Sequence, residues 1–427
     1  MALAEKPYLP RVIDRRLLDL IEGLPAIAIE GAKSIGKTTS ASRLAKSIIR
    51  LDDPATMDVV KADPARALDR GRPLLVDEWQ RHPPIWDAVR RAVDEDGAPG
   101  QFILTGSAVP ADAPAHSGAG RIFSVRMRPL SFFERQLHPT TVSLAHLLRG
   151  TALNVMGESS ITLEQYTDEI LASGFPNIRE RPQRFRADEL RSYVSLLVTK
   201  GVKESGHYER TPATMAEWLR AYAAATATTA SWETIRDAAT PGHAGGISRP
   251  AAERYREALH ASWMLDPLSA WIPGSSHLRR AGRAPKHHLA DPALAASLVG
   301  IGKTGLLDGD GPAGIVRDGA FLGALFESLV ALSIRVYAEV LDAAVYHYRD
   351  AQGRREIDFI VEREDRAFVA IESKLGSTVG TDDVKHLVAM KELAGPRMLA
   401  GLVVNTGTTA YRRDDGIFVV PLALLSP

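Results

Sequence analysis

Apolar and polar residues alternate along this chain in three different ways, and each change of pattern predicts a change of element. Near the N-terminus a short apolar run, residues 26–29, reads as a buried strand. It runs into Gly31-Ala32-Lys33-Ser34-Ile35-Gly36-Lys37-Thr38-Thr39. After that stretch Ala41, Leu44, Ala45 and Ile48 recur at helical spacing and predict a helix over 39–49. Residues 73–76 and 101–104 predict two further strands, one ending in Asp77-Glu78 and the other in Thr105-Gly106-Ser107. Residues 160–225 are helical in period, broken at Gly174–Pro176, with Trp218, Leu219 and Tyr222 at core spacing. Residues 231–271 predict helix, loop, helix and a short extended tail, with Ser231 and Ser248 as N-caps and Pro250 in the second helix's first turn. From Ala320 the pattern changes again. A long apolar-faced helix over 321–341 precedes strands at 356–361 and 367–372, and apolar segments at 398–407 and 416–425 read as a further strand pair.

The chemistry sits where these elements end. Gly31-x-x-x-x-Gly36-Lys37-Thr38 is a complete Walker A pattern in the strand, loop, helix context that it requires. In such a loop backbone N–H groups and a helix N-terminus cradle phosphates. Lys37 reaches the β- and γ-phosphates and Thr38 holds magnesium. Asp77 and Glu78, at the end of the next apolar strand, fit a Walker B pair: Asp77 supports the magnesium shell and Glu78 polarises the attacking water. Thr105 and Ser107 both qualify as the polar group that senses the γ-phosphate, and the pattern does not separate them. Arg121 follows a Gly-rich segment from which it could reach a neighbouring subunit's nucleotide as an arginine finger. Arg126 and Arg128 alternate along an expected strand and read as a solvated face.

Composition narrows the partners. The chain has 427 residues, 45% apolar and 24% charged, with 52 basic and 52 acidic side chains, so no global field draws in nucleic acid. DNA contact would have to come from local patches. Cysteine is absent, which excludes disulfides, thiolate zinc sites and cysteine nucleophiles. Charges are scattered through residues 1–20 and no run of 18 apolar residues occurs, so the expectation is a cytoplasmic protein with no membrane partner.

The stretches GAKSIGKTT, LLVDEWQ, FILTGSA and GRIFSVRMRPLSFFE together resemble the bacterial and archaeal AAA+-type ATPases that carry a C-terminal domain of unknown function. The resemblance covers nearly the whole chain and implies ATP hydrolysis between subunits of a homo-oligomer, a hexamer or other ring. Lys200-Gly201 stands where such proteins often carry an Arg-Asp pair. The resemblance supports reading 231–271 as a winged helix whose second helix enters the DNA major groove. Arg249, Arg254 and Arg256 lie on that helix. Arg279, Arg280, Arg283 and Lys286 form a basic run behind it that suits phosphate contacts.

In the last third, Asp358 precedes Glu372 and Lys374 with the spacing of the PD-(D/E)xK nucleases. Strand alternation puts Glu372 and Lys374 on one face beside Asp358. Asp358, Glu372 and Glu327 are the expected ligands of a magnesium or manganese ion, and Lys374 the group that positions the attacking water. The expected fold is α/β: a P-loop AAA+-type ATPase core (1–140), a helical lid (141–230), a winged helix with basic linker (231–300) and a restriction-endonuclease-like α/β domain (301–427). The expected function is ATP-driven action on DNA, with or without cleavage. Its rivals are a translocase with a non-cleaving DNA-binding tail and a regulatory ATPase that binds protein partners.

Overall fold

The computed structural model describes residues 8–108, 118–151, 155–201, 212–239, 246–274, 283–307, 317–350 and 352–427. Arg279 and Arg280 lie outside the described residues. Among the described residues the first third forms a five-stranded parallel sheet of β1 (Ala26–Glu30), β2 (Ser47–Arg50), β3 (Leu74–Asp77), β4 (Phe102–Gly106) and β5 (Ile122–Arg126), in the order β2-β3-β4-β1-β5. Parallel strands must be covered on both faces, which is why they read as continuous apolar runs. Ile27, Ile29, Leu75, Ile103 and Val125 enter the main core, while Ala26, Ala28, Leu74, Val76, Phe102 and Leu104 enter a separate core on the opposite face.

The helix after the glycine-rich loop is shorter than its spacing predicts. It spans Lys37–Ser42, and residues 47–50 form the edge strand β2 instead. The β-branched pair Ile48 and Ile49 lies beside Leu75 and Val76 of β3, and this sheet pairing outweighs the helical spacing of Ile48.

The second sheet draws on most of the chain. Short pieces β6 (Val142–Ser143), β7 (Gly157–Glu158) and β8 (Ala270–Trp271) precede β9 (Ala344–Arg349), β10 (Glu356–Glu362), β11 (Phe368–Lys374), β12 (Met398–Asn405), β13 (Thr409–Arg412), β14 (Phe418–Pro421) and β15 (Leu425–Ser426). The order is β7-β13-β14-β12-β11-β10-β9-β8, with β6 pairing β15 separately. Strands from the segments expected to be lid and winged helix thus complete the C-terminal sheet, and one buried apolar cluster runs from Ile13 to Leu425. The helix Gly319–Val340 is long and apolar enough to cross a membrane by length and composition. Here it is a core helix, with Leu322, Leu325, Phe326, Leu329 and Val330 all buried.

Along the chain between β7 and β8 lie, among others, the helices Pro212–Ala224, Trp232–Ala238 and Arg249–Ala261. Ser231 Oγ accepts from Thr234 N at 3.1 Å and Ser248 Oγ from Ala251 N at 3.4 Å, the two caps that the sequence predicts. Antiparallel bridges Leu265↔Leu289 and Leu268↔Lys286 follow.

Candidate functional site: a phosphate-binding cleft

The loop after β1 turns because of two glycines. Gly31 has φ 151° and a Cβ there would stand 2.2 Å from the Met127 carbonyl oxygen; Gly36 has φ 98°. The loop delivers Lys37 and Thr38 to the carboxyl ends of β1, β3 and β4, where open α/β sheets bind ligands. Lys37 is buried and its Nζ donates to the carbonyls of Gly31 and Ala32, both at 2.8 Å. Thr38 Oγ1 donates to Asp77 Oδ1 at 2.7 Å.

Tertiary structure separates the two candidate sensors. Thr105 is the direct register partner of Asp77 on the neighbouring strand, and its Oγ1 donates to Asp77 Oδ1. Ser107, past the end of β4, donates to Glu78 Oε2 at 3.2 Å. Glu78 leaves the sheet with φ 59°, a left-handed conformation uncommon for a non-glycine residue, and this turns its carboxylate toward the cleft. Gln80, on the short turn Trp79–Arg81, donates to Glu78 Oε2 and to Ser107 Oγ at 3.1 Å. Each Walker B carboxylate therefore has its own holder: Thr105 for Asp77, Ser107 and Gln80 for Glu78.

The cleft has a volume of about 640 Å³ and is lined by residues remote in sequence from the loop, among them Tyr8, Arg11, Leu130, Arg135 and Arg179. Arg11 Nη1 donates to Ile35 O of the loop at 2.8 Å while its Nε pairs with Glu134 at 2.9 Å, so the N-terminal segment braces the loop from below. Arg135 and Arg179 both pair with Glu169. No local pattern marks these three arginines, because each is recruited by chain packing.

Burial lowers the Lys37 ammonium from its ordinary value to about 8, against the pull of Glu78 and Asp77. Phosphates bind the protonated form, so above pH 8 nucleotide binding must take up a proton and affinity should fall toward tenfold per pH unit. Calorimetry in two buffers of unequal ionisation enthalpy should find proton uptake small at pH 7 and approaching one at pH 9. Equal uptake at both would remove Lys37 as the phosphate partner.

The other expected site residues fall into three groups. Arg121 is half-exposed, its Nε pairs with Asp94 at 2.7 Å, and neither residue is among those that line the cleft of its own chain. Arg126 and Arg128 are not a solvated face. They meet Asp266 at 2.8 and 2.9 Å, and Arg335 reaches the same carboxylate at 2.7 Å. Arg249 and Arg254 are exposed, with Arg249 paired to Glu253 at 3.0 Å, and the Arg256 guanidinium lies 5.0 Å over the Trp232 ring. Arg283 is exposed and donates to the Asp350 carbonyl at 3.3 Å.

Lys286 departs from the expectation of a phosphate contact. It is 1% exposed, and its Nζ pairs with Glu327 and Asp358 at 2.8 Å and with Glu356 at 3.0 Å. Glu327, Asp358 and Glu372 are likewise not an open cation site. Among the described residues no group of three or more His, Cys, Asp or Glu side chains is placed to hold a metal. Lys374 Nζ stands 3.9 Å from Glu372 Oε2. Burial pushes Glu327 up to about 8 and raises Glu372 well above the usual carboxylate range. Burial alone would raise Asp358 too, but Lys286 and Ser373 hold it down at about 2.

The glycine loop, Lys37, Thr38 and the two held carboxylates define a P-loop nucleotide site, and residues 24–136 match a family model described as an AAA domain. That stretch is thus similar to AAA-type P-loop ATPase domains. Residues 163–305 and 322–425 match two domains of unknown function, DUF8612 and DUF4143. An uncharacterized protein of Mycobacterium bovis and one of Mycobacterium tuberculosis are each 24% identical to this chain over 414 residues, covering 95% of it and 82% of their own length.

Proposed function

We propose that this chain is a magnesium-dependent ATPase whose turnover acts on DNA without cutting it. The observation that carries the ATPase reading is the convergence of Lys37, Thr38 and Glu78 on one cleft, with Asp77 hydrogen-bonded to Thr38. Thr38 and Asp77 fit magnesium: a hydroxyl and a carboxylate lie within 2.7 Å of each other beside the loop. Bound with ATP, that ion would neutralise charge on the phosphates. Lys37 exchanges its two loop carbonyls for phosphate oxygens. Glu78, steadied by Ser107 and Gln80, orients the attacking water and accepts its proton. Arg121 acts in trans, completing the cleft of a neighbouring copy in a homo-oligomeric ring.

The DNA part of the reading rests on the middle of the chain. Three helices followed by the bridges at Leu265 and Leu268 support the reading of a winged helix, and Arg249 and Arg254 are exposed on the third of these helices. The test is ATP turnover with and without single-stranded, duplex and branched DNA at low salt. The expected result is stimulation by at least one form. Arg249→Ala with Arg254→Ala should weaken DNA binding for every sequence and flatten the salt slope by about one per arginine. Turnover that no DNA form alters would leave an ATPase that works on protein partners instead.

A further inference from the structure

The carboxylates of the C-terminal sheet have the residue types of a metal-dependent nuclease, yet a lysine from another part of the chain sits among them. Glu356 and Asp358 lie two apart on β10 and so share a face, and Glu327 projects toward them from the helix Gly319–Val340. Lys286 arrives from the bridge to Leu268, whose backbone it pairs with in both directions at 2.8 and 2.9 Å. An ammonium has three N–H donors, and here it meets one oxygen from each of three carboxylates at 2.8–3.0 Å. The second oxygen of Asp358 is taken as well, accepting from Ser373 N at 2.8 Å and Ser373 Oγ at 3.0 Å. Magnesium requires oxygens at about 2.0–2.1 Å in near-octahedral array, which carboxylates spaced around an N–H···O contact do not provide.

We propose that this cluster is a metal-free ion lock, in which Lys286 stands in place of a divalent cation and ties the bridged segment after residue 283 to the C-terminal sheet. The positive charge is supplied by the chain itself, so no metal-activated water can form among Glu327, Asp358 and Glu372, and Lys374 has no water there to position. The C-terminal domain is then a fixed attachment and not a nuclease. A buried carboxylate group stripped of its cation is strongly destabilised, so the lysine should be replaceable only by another cation.

Manganese uptake by the full-length protein without nucleotide tests this separately from the ATPase reading. Wild type and Asp358→Asn should bind equal amounts of manganese by paramagnetic resonance, and neither should nick supercoiled plasmid in its presence. Lys286→Ala should melt several degrees lower than wild type, take up one further manganese ion, and regain much of the lost melting temperature as manganese is added. Lys286→Ala with Asp358→Asn should lose that uptake and that recovery, which separates the cluster from any ion held at Asp77. One ion fewer in Asp358→Asn than in wild type, or manganese-dependent nicking that Asp358→Asn abolishes, would overturn the lock. Should Lys286→Ala not fold, the comparison of wild type with Asp358→Asn decides the matter by itself.

Discussion

Glu78→Gln should bind ATP as the wild type does and hydrolyse it about 10²- to 10⁴-fold more slowly, the range that a positioned general base contributes. Affinity survives because phosphate binding rests on Lys37, the loop N–H groups and the Thr38–Asp77 pair, none of which Glu78 touches by hydrogen bond. The amide keeps the size and the left-handed backbone turn of the native residue, and its carbonyl oxygen can still accept from Gln80 and Ser107. What it cannot do is take a proton from water. Fluorescent nucleotide titration alongside phosphate release separates the two effects. A turnover rate within a few-fold of wild type would place the base elsewhere in the cleft.

The second large effect concerns stability. Asp266→Ala should cost about 3–5 kcal/mol, the usual penalty for removing one partner from a buried ion cluster. Asp266 is 4% exposed and faces the guanidinium groups of Arg126, Arg128 and Arg335, while Glu339 reaches only Arg128, at 3.3 Å. These arginines come from the end of β5, the turn beyond it and the helix Gly319–Val340, so the loss should loosen the ATPase sheet from the C-terminal helix. Burial alone would raise the carboxyl, but the three arginines hold it well below the usual carboxylate range. A folded-state value below the unfolded one, about 3.9, means that the stabilisation is complete above that pH and lost only as pH falls further. The melting-temperature gap between wild type and Asp266→Ala should therefore be flat from pH 5 to 8 and narrow in stronger acid. A gap that closes near neutrality would mean that another group carries the effect.

What could be read without coordinates was local. The phosphate loop depends on the order of glycines, Lys37 and Thr38 within one turn of chain, and Asp77-Glu78 on the end of one apolar strand. Such patterns need no partner from elsewhere to be recognised. The caps Ser231 and Ser248 were legible for the same reason, since a cap bonds to a backbone N–H three residues away. Tertiary structure decided whatever depended on a distant partner. Ile48 lies in a strand because β3 offered it an edge. Thr105 meets Asp77 through the sheet register, whereas Ser107, past the strand end, meets Glu78 where the chain turns out of the sheet. Arg11, Arg135 and Arg179 line the cleft through packing that no spacing records. Lys286 shows the limit most clearly. In sequence it closes a basic run and has the look of a solvated charge, whereas in the fold it is sealed among three carboxylates that lie 41, 70 and 72 positions further along the chain. Charge pairing over such distances is set by how the sheets close on each other, and only the folded chain brings the partners together.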